Sequence, residues 1–212
     1  MPLYHKYQHD SFIVAIWKVE ETLDELRVLF NDFSIYEAGY ERFNSEKRKL
    51  EWLAVRALLK EICGEEKAIA YYPSGKPYLL DGSAYVSFSH THGYVAVAYS
   101  RDKEVAVDIE QYGTRVRRVA HKFIREDEQE SIQMAENEIS ALLLHWSAKE
   151  TMYKLMGKEG VDFIKHLHIH PFVLAKQGQL NASEYLTESN RCFRISYIIH
   201  PDYVLTYTGD GK

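Results

Sequence analysis

No uncharged apolar run in this chain approaches the roughly 18 residues that a membrane-crossing helix needs. The start, Met1-Pro2-Leu3-Tyr4-His5-Lys6, does not lead into a signal-peptide pattern. The expectation is a cytoplasmic protein with no membrane partner. Cysteine is scarce, and Cys63 and Cys192 stand far apart with no CxxC neighbour, which argues against a disulfide framework or a zinc knuckle. Excess positive charge is missing too. At a net charge of -5 the chain lacks the footprint of a general nucleic-acid binder, although a local basic groove remains compatible with it. Nothing in the composition signals disorder: 46% apolar and 27% charged residues are ordinary for a globular protein, and 212 residues suffice for one large domain or two small ones.

What is present centres on Val105-Ala106-Val107-Asp108-Ile109-Glu110. As a strand it points Val105, Val107 and Ile109 one way and Ala106, Asp108 and Glu110 the other, so two carboxylates share a face. Like charges held that close favour a shared proton or a bound hard cation. Taken alone, an Asp-x-Glu reads first as the solvent-facing edge of an amphipathic strand.

Upstream, Phe12 to Val19 is β-rich, and Thr22-Leu23-Asp24-Glu25 and Ser34-Ile35-Tyr36-Glu37 both have the capping-box pattern. Ser45 is placed to cap the longest helix of this half. From Glu46 to Cys63, Leu50, Leu53, Ala54, Ala57, Leu58 and Ile62 recur at helical spacing, with Gly64 as the stop. The same helix carries Lys47, Arg48, Lys49, Arg56 and Lys60, which taken alone read as a solvated face. Pro73-Ser74-Gly75-Lys76-Pro77 is a turn that sets one lysine between rigid neighbours. Strands are expected at Ala84 to Ser89 and Tyr94 to Tyr99, joined tightly through His90-Thr91-His92-Gly93.

After Glu110 the chain turns basic. Arg115, Arg117, Arg118, His121, Lys122 and Arg125, with Val116, Val119, Ala120, Phe123 and Ile124, predict a basic amphipathic helix: a surface helix or a dock for an acidic partner. Glu126-Asp127-Glu128 should open a further helix. Leu142 to Met156 reads as a buried helix ended by Gly157, with Glu150 and Lys154 on one face and Trp146 a turn earlier. As a plain surface pair Glu150 and Lys154 would contribute only about 0.3 to 0.5 kcal/mol. His166, His168 and His170 alternate and raise a zinc or nickel site, although no nearby acid or cysteine completes the set. Phe193 to Ile199 and Tyr203 to Thr208 are the last strands.

The halves repeat weakly. Glu51-Trp52-Leu53-Ala54 with Lys60 corresponds to His145-Trp146-Ser147-Ala148 with Lys154 at a constant offset of 94, and Tyr94-Val95-Ala96-Val97 to Tyr203-Val204-Leu205-Thr206. The expectation is an α+β fold of two similar lobes about a pseudo-twofold axis, residues 1–104 and 105–212. Each lobe would pack a small antiparallel sheet on a long helix, with the active site between lobes.

Gly75-Lys76-Pro77-Tyr78, Phe88-Ser89-His90-Thr91, Val107-Asp108-Ile109-Glu110 and Trp146-Ser147-Ala148-Lys149-Glu150 followed by Lys154 occur in this order and with these gaps. Together they resemble the 4′-phosphopantetheinyl transferase superfamily, in its larger single-chain, two-lobed class. The resemblance implies Mg²⁺-dependent transfer of the phosphopantetheine arm of coenzyme A to a serine of an apo acyl or peptidyl carrier protein, releasing adenosine 3′,5′-bisphosphate. It assigns Asp108, Glu110 and Glu150 to Mg²⁺, Glu150 also to the base, and Lys154 to the bridging or leaving phosphate oxygen. Lys76, Ser89 and His90 would hold coenzyme A with Pro77 shaping the loop, and Lys47, Arg48 and Arg56 fall near the family's basic contacts. The 115–125 segment would be the carrier-protein surface of a monomer. Ala106 stands where the family more often has glycine, and Thr91 where serine is common. Two other activities use the same residues: a non-catalytic module that binds coenzyme A or the carrier, and a metal-dependent hydrolase that breaks the pyrophosphate with water.

Overall fold

A computed structural model describes residues 3–209. The fold is mixed α+β, with antiparallel strand pairing and a long helix in each of two compact units that divide after Val105. Among the described residues no helix is long and apolar enough to cross a membrane.

The first unit opens with the antiparallel pair β1 (Leu3–Gln8) and β2 (Ile13–Lys18). Short helices α1 (Leu23–Arg27) and α2 (Ser34–Tyr40) lead to α3 (Glu46–Cys63). Next come the small hairpin β3 (Ile69–Tyr71) and β4 (Pro77–Leu79), then β5 (Tyr85–Thr91) and β6 (Tyr94–Ser100). The main sheet runs β1-β2-β6-β5. Its central strand β6 is buried along its whole length, as a strand apolar on both faces should be. The apolar stripe of α3, Leu53, Ala54, Ala57 and Leu58, joins Trp17, Val95 and Val97 of the sheet in one core.

In the second unit β7 (Val105–Gln111) is followed by three 3-10 turns, α4 (Gln129–Gln133) and α5 (Glu138–Met156). Strands β8 (Leu167–Ile169), β9 (Gln177–Glu184), β10 (Cys192–Ile199) and β11 (Tyr203–Gly209) complete a sheet ordered β7-β11-β10-β9-β8. Leu144, Ala148, Met152 and Leu155 of α5 share its core with Ile195 and Val204. Both units use the same connection: a strand, a long helix, then two adjacent strands of which the last returns beside the first.

Several end signals behave as expected. Thr22 forms its reciprocal capping box with Glu25, and α3 and α5 stop at Gly64 and Gly157, with φ of 78° and 58° in the left-handed region that favours glycine. Three do not. Ser34 lies inside α2 instead of capping it, and its backbone N–H is taken at 2.9 Å by Asp32, a stronger anionic acceptor two residues upstream. Ser45 holds the cap position of α3 without a side-chain bond. The basic segment is not one α-helix but two 3-10 pieces, Thr114–Arg118 and Ala120–Lys122. Val116 and Phe123 are each buried by a separate turn, which a continuous helix with so many adjacent cations and a β-branched Val119 between them would not favour.

Candidate active site

In the second unit β7 is an edge strand whose alternation presents Asp108 and Glu110 to α5. Asp108 is 3% exposed and accepts from Ser147 Oγ and Lys154 Nζ, both at 2.7 Å. Lys154 also donates to the Val107 carbonyl at 3.1 Å, so it grips β7 by backbone and side chain. Ser147 Oγ lies 2.9 Å from Thr206 Oγ1, which is 2.6 Å from Thr151 Oγ1. Ser147, Thr151 and Lys154 thus form one polar line along α5 at helical spacing. Glu110 accepts from Trp146 Nε1 at 2.7 Å. The Trp146 ring packs on Phe123 and Phe163, with centroids 5.1 and 5.6 Å away.

Glu150 is electrostatically part of this group. Its carboxyl is pushed up to about 7, by burial first and the Asp108 charge next, with Lys154 opposing and Glu110 adding. Glu110 is likewise pushed up to about 7 by burial and then Asp108, against the Trp146 hydrogen bond and the Lys154 charge. Two carboxyls half-protonated near neutral pH beside a third mark a site with more negative charge than it can hold alone. A divalent cation relieves that excess.

The fit to Mg²⁺ is that of an open acid cluster. Among the described residues no three His, Cys, Asp or Glu side chains close on a common point as a preformed metal set. Mg²⁺ does not require one, since it keeps several waters and takes one or two carboxylates together with substrate phosphates. The His166, His168 and His170 series is no such set either. His166 Nδ1 turns to the Asp162 backbone at 2.9 Å, and the His170 ring reaches Ser183 at 2.8 Å.

Behind the acids, Lys149 is fully buried and donates to Glu128 at 2.7 Å, the Phe123 carbonyl at 2.6 Å and the Phe163 carbonyl at 3.2 Å. Glu128 also accepts from the backbone N–H groups of Arg125 and Ile169, at 2.9 and 2.8 Å. Burial pushes the Lys149 ammonium down, and the facing Glu128 opposes that. The pair ties to α5 the two residues whose rings hold Trp146.

In the first unit the structure brings together Arg48, Arg56 and His90, around a cleft of about 210 Å³ also lined by Glu51, Trp52 and Tyr71. Arg48 Nη1 lies 3.2 Å from His90 Nε2 and 3.1 Å from Glu51 Oε2; Lys47 reaches Glu51 at 3.8 Å from the rim. Arg56 lies flat on Trp52, 3.2 Å from the ring centroid, and burial lowers its guanidinium to about 10. Lys76 and Pro77 enter differently. Lys76 pairs with Glu104 at 3.0 Å, and Pro77 does not line the cleft but is the cross-strand partner of Tyr71, which does. Ser89 is buried on β5, next to exposed His90.

Sequence reasoning missed Glu51, Ser147, Thr206 and the Lys149–Glu128 pair. Glu51 left a signal at three and four residues from Arg48 and Lys47 on one helix, and Ser147 and Lys149 stood inside the Trp146–Glu150 motif without a role assigned to them.

A strand and a helix thus place Asp108, Glu110, Glu150 and Lys154 in one electrostatically coupled group. Residues 104–208 match the family model of the 4′-phosphopantetheinyl transferase superfamily. No curated protein matches the chain.

Proposed function

We propose that this protein transfers the 4′-phosphopantetheine arm of coenzyme A to a serine hydroxyl of an apo acyl or peptidyl carrier protein, with Mg²⁺, releasing adenosine 3′,5′-bisphosphate. The observation that carries the reading is the pair Glu110 and Glu150, both raised to about 7 beside Asp108 and Lys154, within the segment that matches the superfamily. Bound Mg²⁺ supplies charge neutralisation at the pyrophosphate, and Asp108, Glu110 and Glu150 are the residues to hold it.

The remaining work falls to this chain's own groups. Glu150, on α5 one turn before Lys154, is the carboxylate to take the proton of the incoming serine hydroxyl, directly or through a water. The serine oxygen forms a bond to the phosphorus next to pantetheine, and the bridging P–O bond breaks. The leaving phosphate takes the electron pair, where the Lys154 ammonium compensates its charge. Lys154 now serves Asp108, so it must share its three donors between the carboxylate and that phosphate. Ser147 and Trp146 orient Asp108 and Glu110 and take no proton themselves.

Arg48, Arg56 and His90, with Lys47, Lys76 and Ser89, are the residues to bind the nucleotide and phosphates of coenzyme A, and Pro77 shapes their cleft through Tyr71. Arg48→Ala should raise KM for coenzyme A by about 10-fold or more with little change in kcat, as the loss of a charged hydrogen-bonding contact does. Steady-state kinetics with coenzyme A varied check this; an unchanged KM removes Arg48 from the binding set. For the carrier, Arg115, Arg118, His121 and Lys122 are exposed and Val119 is 36% exposed, while Arg117 and Arg125 are engaged by Glu138 and Asp127. An acidic carrier protein is the partner such a surface steers.

The test is incubation with coenzyme A, Mg²⁺ and several apo carrier proteins, followed by intact mass. A gain of one phosphopantetheine arm supports the reading; no gain on any carrier overturns it.

A further inference from the structure

A second cavity, of about 460 Å³, lies in the second unit where α4, the start of α5 and the segment Pro171–Leu174 come together. The transfer reaction gives it no role. Met134, Ala135, Phe172 and Leu174 make its walls apolar, and no lysine or arginine lines it. Asp127, Glu130 and Glu136 stand at its edge. Asp127 is balanced by Arg125 at 2.9 Å, whereas Glu130 and Glu136 are exposed and leave the rim negative.

The inner wall includes His145, only 1% exposed. Its Nδ1 lies 2.8 Å from the Ala141 carbonyl, which can only accept, so the proton sits on Nδ1 and Nε2 is a bare acceptor. Burial lowers the imidazole's pKa and keeps it neutral. Nε2 is buried and has no hydrogen-bond partner. Buried polar atoms are rarely left so, and an orphaned acceptor in a cavity wall calls for a donor from outside the chain. Beside it is the half-buried Phe172 ring, 5.7 Å away between centroids and part of the same cavity wall.

We propose that this cavity binds a small hydroxyaryl-alkylammonium compound. The aromatic body lies against Phe172 and Leu174, the ring hydroxyl donates to His145 Nε2, and the ammonium meets Glu130 and Glu136 at the rim. The volume lies within the range of small-molecule sites, and apolar walls with a few directed polar groups are their usual make-up.

Three probes of one shape separate the elements: tyramine, phenethylamine without the hydroxyl, and 4-hydroxyphenylacetate with the end charge reversed. Binding is measured on the whole protein by titration calorimetry, with the His145 ¹⁵N resonances as a second readout. Tyramine should bind about 5- to 10-fold more tightly than phenethylamine, the difference one hydrogen bond makes. 4-Hydroxyphenylacetate should bind more weakly than either amine. His145→Phe should erase the tyramine preference, and Glu130→Gln with Glu136→Gln should weaken both amines alike. If His145→Phe does not fold, Leu174→Trp, which fills the cavity from a half-buried wall, should abolish tyramine binding. The proposal is overturned by no saturable tyramine binding up to about 10 mM. It is equally overturned by tight binding of the acid, or by a hydroxyl preference that survives in His145→Phe.

Discussion

Glu150→Gln is expected to lower transfer by about 10³-fold, the usual worth of a positioned base, while making the metal-free protein more stable at pH 8. The two effects have one cause. A carboxyl whose folded pKa is about 7 and whose ordinary value is 4.5 binds its proton more tightly when folded. The stability it contributes is therefore fully present below about pH 4.5 and is lost as pH rises through about 7. At pH 8 the folded state holds a charge that burial and Asp108 disfavour, and the neutral amide escapes it. The gain should be about 1 to 3 kcal/mol at pH 8, shared with Glu110, and should vanish near pH 4. Thermal melts of both proteins in magnesium-free buffer across this range check the sign. Added Mg²⁺ should reverse the order at pH 8, because wild type, with all three carboxylates, binds it more tightly than the variant and gains more stability from it. A variant less stable than wild type at pH 8 without metal, or one that transfers normally, contradicts the role given to Glu150.

The second large effect belongs to Lys149. Lys149→Met should destabilise the protein by about 3 to 5 kcal/mol, because it leaves Glu128 as a buried charge without its counter-ion, held by two backbone N–H groups alone. The double variant Lys149→Met/Glu128→Leu should recover part of that loss, since both charges are then gone and what remains is the loss of partners for the backbone donors of Arg125 and Ile169 and for the Phe123 and Phe163 carbonyls. Denaturant unfolding of the two variants makes the comparison. A single variant within 1 kcal/mol of wild type, estimated as about the worth of an exposed pair, would mean that the buried pair does not hold the Phe123 and Phe163 segments to α5.

The parts of this fold legible in sequence were those fixed by local chemistry. Glycine at the left-handed ends of α3 and α5, the Thr22 capping box and the alternation of β7 each depend on neighbours a few residues apart. β1 escaped notice because its Leu-Tyr-His-Lys-Tyr-Gln carries no apolar alternation; pairing with β2 makes it a strand. The basic segment misled for the opposite reason. Its helical spacing was real, yet the separate burial of Val116 and Phe123 broke it into short turns. At the site, Asp108, Glu110, Glu150 and Lys154 were visible as residue types at telling spacings. Their supports were not, since Ser147 to Thr206 and Lys149 to Glu128 are contacts between segments 59 and 21 residues apart.

The central claim, that these carboxylates serve transfer to a protein serine, is tested most directly by measuring adenosine 3′,5′-bisphosphate release from coenzyme A with and without an apo carrier. Release is expected only with the carrier present, in equal amount to the phosphopantetheine gained by it, and none from a carrier whose acceptor serine is replaced by alanine. Release at the same rate without any carrier would contradict it and make the protein a pyrophosphate hydrolase.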